Sequence, residues 1–265
     1  MSSYPSFRKS KGFSLIELMI SMVLGLVIVA GSISVFISTK NSARTQQGLM
    51  NMHSNGRAAV GVLANQIMKA GYPQHAGIDP FLMEYSLEGG NAGLDEVAIQ
   101  YQSPVTCSGA TNNNADGIVR TIFKLEDTEF DADNKPDSLV CINVVKTEEI
   151  DPLTGAVSDN FTEEASQVLV YGVENFQVLY GQDTVEDGVS NATRYVVADN
   201  VTDWSKIVSV RIALLANSQI EMMSELDDDK WNLMDQWSQD KVVPANDKMR
   251  RRPFISTIKI RNARG

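Results

Sequence analysis

Lys11-Gly12-Phe13-Ser14-Leu15-Ile16-Glu17-Leu18 opens an apolar run that continues to Ile37. Counted from Phe13 the run is 25 residues long. At about 1.5 Å per residue a helix of that length reaches roughly 37 Å, enough to cross a hydrocarbon core of about 30 Å. Arg8, Lys9 and Lys11 precede it with no acid among the first twelve residues, a bias that holds the N-terminus in the cytoplasm and sends the rest of the chain across. A secretory signal has a shorter apolar region, about 7 to 15 residues, ended by small residues at a cleavage site. This run is longer, lacks an A-x-A exit and carries Glu17 near its start. An ionisable group in a spanning segment is costly and calls for a partner, here a cationic one.

The same eight residues resemble the processing site of type IV pilins and type II secretion pseudopilins. The resemblance implies that prepilin peptidase cleaves between Gly12 and Phe13 and methylates the new amine of Phe13. It also implies that Glu17, then the fifth residue, pairs with the cationic N-terminus of a neighbouring subunit. The physics agrees, because an amine and a carboxylate in a low-dielectric site attract, whereas either alone is penalised by desolvation. The competing reading is an ordinary signal anchor whose Glu17 faces another helix or snorkels. Loss of the leader takes the net charge from -10 to -13.

Composition bounds the rest. With 43% hydrophobic and 21% charged residues, the chain of 265 residues falls in the globular range and outside the disordered one. The acidic balance gives no long-range attraction to nucleic acid or anionic lipid. Two cysteines and two histidines are too few for a zinc finger, an iron-sulfur cluster or a histidine-based metal centre. No metal and no cofactor is expected. A calcium loop needs oxygen ligands, and Asp131-Ala132-Asp133-Asn134-Lys135-Pro136-Asp137 offers some at alternate positions. It places Lys135 and Pro136 where such a loop wants a ligand and a glycine, and has no terminal glutamate. Asn112 to Gly117 contains a second fragment of that pattern, explained more simply by an Asp-Gly turn.

After Ile37 the chain turns polar, yet nothing breaks a helix before Gly71-Tyr72-Pro73. Leu49, Met52, Ala59, Leu63, Ile67 and Ala70 recur at helical spacing with Gly56 left small, which predicts one packing face on which the protein's own sheet sits. Gly71 suits a left-handed helix cap, and Pro73 cannot continue the helix. From there the period becomes two: Val97, Ile99, Tyr101; Val119, Thr121, Phe123, Leu125; Val140, Ile142, Val144. Further strands are expected at 167–171, 175–181, 194–197, 207–215 and 254–261. The fold class is α+β: a long N-terminal helix, membrane-spanning in its first half, packed on an antiparallel β-rich domain. The expected divisions are leader 1–12, spanning helix 13–37, amphipathic helix 38–71 and globular domain 72–265.

The helix exit at Leu63 to Tyr72, and the stretches Gly172 to Gly181 and Asp203 to Leu215, are similar to PilW-type minor pilins. Cys107 and Cys141 stand where PilW-like sequences also have cysteines. In an oxidising periplasm they are expected to pair, since closing a loop of this size would stabilise the domain by roughly 3 to 4 kcal/mol. The tail from Lys248 to Gly265 holds Lys248, Arg250, Arg251, Arg252, Lys259, Arg261 and Arg264 without an acid. It reads either as a local phosphate-binding surface or as a final strand pairing with acids such as Asp227, Asp228 and Asp229. His53 and His75 lie in no nucleophile or metal motif, and no phosphate loop, G-x-S-x-G or H-E-x-x-H occurs, so no enzyme activity is expected.

The PilW resemblance implies a non-enzymatic inner-membrane protein with cytoplasmic N-terminus and periplasmic domain. Such a protein is processed by prepilin peptidase and primes type IV pilus assembly with other minor pilins and the major pilin. A pilus-tip adhesin and the inner-membrane assembly platform are further partners it implies; nucleic acid is not expected. Two alternatives stay open. One is a type II secretion pseudopilin of the J type; the other is a DNA- or surface-binding module acting through the basic tail.

Overall fold

Helix α1 runs from Leu15 to Ile67 in the computed structural model, which describes residues 12–73, 76–86, 94–128, 137–150, 157–185, 188–223, 225–226, 231–234 and 247–262. The chain divides into two compact units, Met1–Gln47 and Gly48–Gly265. In the first, every large apolar side chain from Phe13 to Ile37 is at least 52% exposed. In the second, the helix buries Met52, Gly56, Ala59, Leu63 and Ile67, as its apolar spacing predicts, together with Gly48. Leu49 is only half-buried. Two of the six buried residues are glycines: Gly56 lets Phe254 come close, and Gly48 does the same for the chain at Ser218 to Met222.

The sequence places the end of the helix at Gly71, whereas α1 ends at Ile67 and leaves through a turn. Lys69 N–H donates to Gln66 O at 2.9 Å and Ala70 N–H to Ile67 O at 3.1 Å. These shorter-ring bonds tighten the last turn and satisfy carbonyls that have no helical partner. Gly71 has φ of 74°, the left-handed region that favours glycine. Its N–H donates to Gln100 O, which ties the exit to the first strand.

Nine strands follow among the described residues: β1 Val97–Gln102, β2 Ile118–Glu126, β3 Ser138–Ile150, β4 Val157–Glu163, β5 Gln167–Tyr171, β6 Val173–Gln182, β7 Arg194–Val196, β8 Ile207–Asn217 and β9 Arg251–Lys259. They form two antiparallel sheets. One has the order β1-β2-β3-β4, with β5 also on β3; the other is β7-β6-β8-β9. Strand β3 serves two partners on one side: Ser138 to Cys141 pair with β5, and Val144 to Ile150 pair with β4. Strand β9 starts at Arg251, earlier than the apolar alternation from Phe254 suggests. Strand β4 has no such alternation and is not foreseen at all.

One apolar core joins these layers. Ala59, Leu63 and Ile67 of α1 meet Val97, Ile99, Phe123 and Leu139 of the first sheet and Phe176, Val210, Ile212 and Leu214 of the second. Fully burying a side chain of this size contributes about 1.5–3 kcal/mol, so the helix face is part of the domain's stability and not an appendage to it. Tyr101 adds a polar tie from β1 to α1, donating to Gln66 Oε1 at 3.0 Å; burial pushes its phenol up to about 12. Where β7 stops, Asp95 closes the edge of β6. Its N–H donates to Phe176 O at 3.0 Å, and its carboxylate accepts from Val178 N–H at 2.6 Å.

Candidate functional site: the N-terminal helix and the fastened ends of the domain

The N-terminal site is built from few groups. Gly12, Phe13 and Ser14 precede the helix, exposed and outside any helix or strand. Ser14 O accepts the N–H of Leu18 at 3.1 Å, the first bond of the helical ladder. Glu17 lies in the first turn, where the partial positive charge of the helix N-terminus favours a carboxylate. The leader residues 1–11 lie outside the described residues.

Past that turn the helix satisfies itself. The hydroxyls of Ser21, Ser32 and Thr39 donate to Leu18 O, Ile28 O and Val35 O at 2.9, 2.9 and 2.8 Å. No lipid or partner group is needed for them. Glu17 is thereby set apart as the lone ionisable side chain between Phe13 and Thr39. A run of exposed apolar side chains this long is far larger than a soluble monomer leaves open to water. The helix is long and apolar enough to cross a membrane.

In the second unit, Cys107 and Cys141 form a disulfide with Cα atoms 6.6 Å apart, as expected. It ties the loop after β1 to the buried centre of β3. The acidic loop falls outside the described residues except for Asp137, whose Oδ1 accepts from Thr128 N–H, Thr128 Oγ1 and Ser138 Oγ. Among the described residues no group of three His, Cys, Asp or Glu side chains is placed to hold a metal ion. His75 lies outside them; His53 meets the ring of Phe254 edge-on at 6.2 Å between centroids.

The basic tail is not one surface. Arg251 is buried at 2% exposure. It donates from Nε and Nη2 to both carboxylate oxygens of Glu174, and from Nη1 and Nη2 to those of Asp247 at 3.0 and 2.6 Å. Arg252 points to the opposite side of β9, 3.4 Å from His53 Nε2. Two charges adjacent in sequence therefore lie on opposite faces, as strand alternation requires. Asp227, Asp228 and Asp229, the acids expected to pair with the tail, lie outside the described residues. The pairing with Glu174 was not foreseen, being 77 residues distant. Asp247 lies four residues before Arg251, a spacing from which their pairing is readable.

Two family models match the chain. Residues 7–33 match the prokaryotic N-terminal methylation motif, and residues 136–262 match Type IV Pilus-assembly protein W. Together the two matches support a type IV pilus minor pilin of the PilW family. A type IV-like pilin from Thermus thermophilus is a similar solved structure, with 13% identity, a TM-score of 0.42, and 77% of this chain and 93% of that chain covered. No curated protein matches. The chain has a long N-terminal helix followed by an antiparallel β domain. Its methylation motif and apolar helix make it a single-pass inner-membrane protein with a C-terminal globular domain. The motif implies processing by prepilin peptidase and association with other pilins. Proteins of this family and fold are typically structural and not enzymatic.

Proposed function

We propose that this minor pilin takes part in initiating type IV pilus assembly within a priming or tip complex of minor pilins. In this reading prepilin peptidase cuts between Gly12 and Phe13 and methylates Phe13, and the helix from Phe13 to Ile37 then packs with the helices of neighbouring pilins. Glu17 directs the docking by pairing with a neighbour's N-terminal amine. The observation that carries this is the position of Glu17: the lone charge in an exposed apolar helix, four residues beyond the methylation junction. A carboxylate left alone in lipid is penalised, and an amine beside it removes most of that penalty. The major pilin, other minor pilins, a tip adhesin and the inner-membrane platform are the partners of this role. The PilW match over residues 136–262 favours the pilus over a secretion pseudopilus. The divided tail, with Arg251 neutralised, disfavours a DNA-binding role.

The test compares sheared pili from cells carrying wild type or Glu17→Ala. The variant should be processed and membrane-inserted yet missing from the sheared fraction. Incorporation at the wild-type level would refute the pairing role.

A further inference from the structure

Among the described residues strand β9 ends its sheet, paired with β8 alone. Ile260 N–H donates to Val208 O at 2.9 Å, and with the register from Ser209↔Lys259 to Asn217↔Arg251 this sets the phase of the ladder. Arg252, Phe254, Ser256 and Ile258 exchange backbone bonds with β8, while Pro253, Ile255, Thr257 and Lys259 turn their backbone groups away from it. Pro253, which has no N–H to give, falls in the outward set. Among the described residues nothing pairs with the outward N–H and C=O groups of Ile255, Thr257 and Lys259. Ile255 is 56% exposed, and Thr257 and Lys259 are exposed.

From Lys248 to Gly265 the charge is of one sign. Lys259 and Arg261 stand at the end of this edge, and Arg211 of β8 donates from Nε to Thr257 Oγ1 at 3.1 Å, bringing a third cation beside the outward residues. No acid occurs from Lys248 to Gly265 in a chain of net charge -10. Such an edge repels its own copy, since like charges set opposite each other in a ladder are destabilising, and Lys and Pro are common guards of open edges. The same charges admit a strand of opposite sign.

We infer that the β9 edge from Ile255 to Lys259 is a docking site for an acidic extended segment of another pilus subunit, added as a further strand. The inference rests on the assembly role proposed above, because that role supplies the neighbour. Backbone bonds would give the affinity, and acidic side chains facing Arg211 and Lys259 the choice of partner.

The test uses the full chain in detergent with two fluorescent probes, a short peptide alternating glutamate and valine and one alternating lysine and valine. Anisotropy should show binding of the glutamate peptide and none of the lysine peptide, with slowed amide exchange in β9. Thr257→Pro removes an outward N–H without touching the β8 ladder and should weaken binding about three- to tenfold, the worth of one hydrogen bond. Lys259→Glu should weaken it too, as should added salt; this variant keeps the test open should Thr257→Pro fail to fold. Binding of neither peptide, or glutamate-peptide binding that leaves β9 exchange unchanged, would overturn the inference. Neither result touches the assembly reading, which stands or falls on recovery of the chain in sheared pili.

Discussion

The ring of Phe254 in β9 stands against the backbone of Gly56 in α1, in the space that any Cβ at position 56 would occupy. Strand and helix are thus held at a distance that only glycine permits. Five residues further on, Gly61 has open space around it.

Gly56→Ala should lower the unfolding free energy of the domain by about 1–3 kcal/mol, the usual result of overpacking. Gly61→Ala should raise it by about 0.5–1 kcal/mol, because alanine loses less entropy than glycine in a helix. Denaturant unfolding of the detergent-solubilised chain reads both. Equal effects at the two positions would contradict the close approach.

Arg251 should be the tail residue whose loss is felt most. Its side chain is fully buried between Glu174 and Asp247, so Arg251→Met leaves two carboxylates facing each other without a cation. The expected loss is about 3 kcal/mol or more. Arg252→Ala, on an exposed side chain, should stay within about 0.5 kcal/mol. Arg251→Lys keeps the charge but not the fork that meets both acids, and should fall between them. Thermal melts of the three variants rank them.

These contrasts mark what was legible in the sequence. The helix face, its exit near Gly71 and most strands could be read, because burial on one side imposes a period on Val119, Thr121, Phe123 and Leu125 or on Leu63 and Ile67. Strand β4 could not, since from Ser158 to Glu163 its side chains are exposed apart from a half-buried Phe161 and nothing demands alternation. Nor could the two-partner pairing of β3, which depends on register between distant segments. Arg251 sits in a run of arginines that looks uniformly solvated, and only tertiary pairing with Glu174 singles it out. At the N-terminus, by contrast, the residues of the matched methylation motif are contiguous, and the motif could be read directly.

Two carboxylates give the domain opposing pH dependences. Burial pushes Asp116 up, but the hydrogen bonds from Arg120 and Ile118 N–H and the charge of Arg120 outweigh it, so its folded pKa lies below 3.8. Its contribution to stability is present above that value and lost as pH falls through the folded pKa. Glu96 is the reverse: desolvation, reinforced by Glu163 and Glu126 against Lys124, raises it above 4.5. Its charged form destabilises the folded domain at neutral pH, and the penalty fades as pH falls through the raised pKa. Asp116→Asn should flatten the acid limb of the stability curve below about pH 4, and Glu96→Gln should raise stability at pH 7. Unfolding midpoints measured across pH for both variants check the signs; a Glu96→Gln protein less stable at neutral pH would contradict the second.

Processing as a pilin subunit is read most directly from the mass of the N-terminus after expression with and without prepilin peptidase. The chain should begin at N-methylated Phe13 when the peptidase is present and at Met1 when it is absent. A Met1 start in both cases, or a peptidase-dependent cut anywhere other than after Gly12, would contradict it.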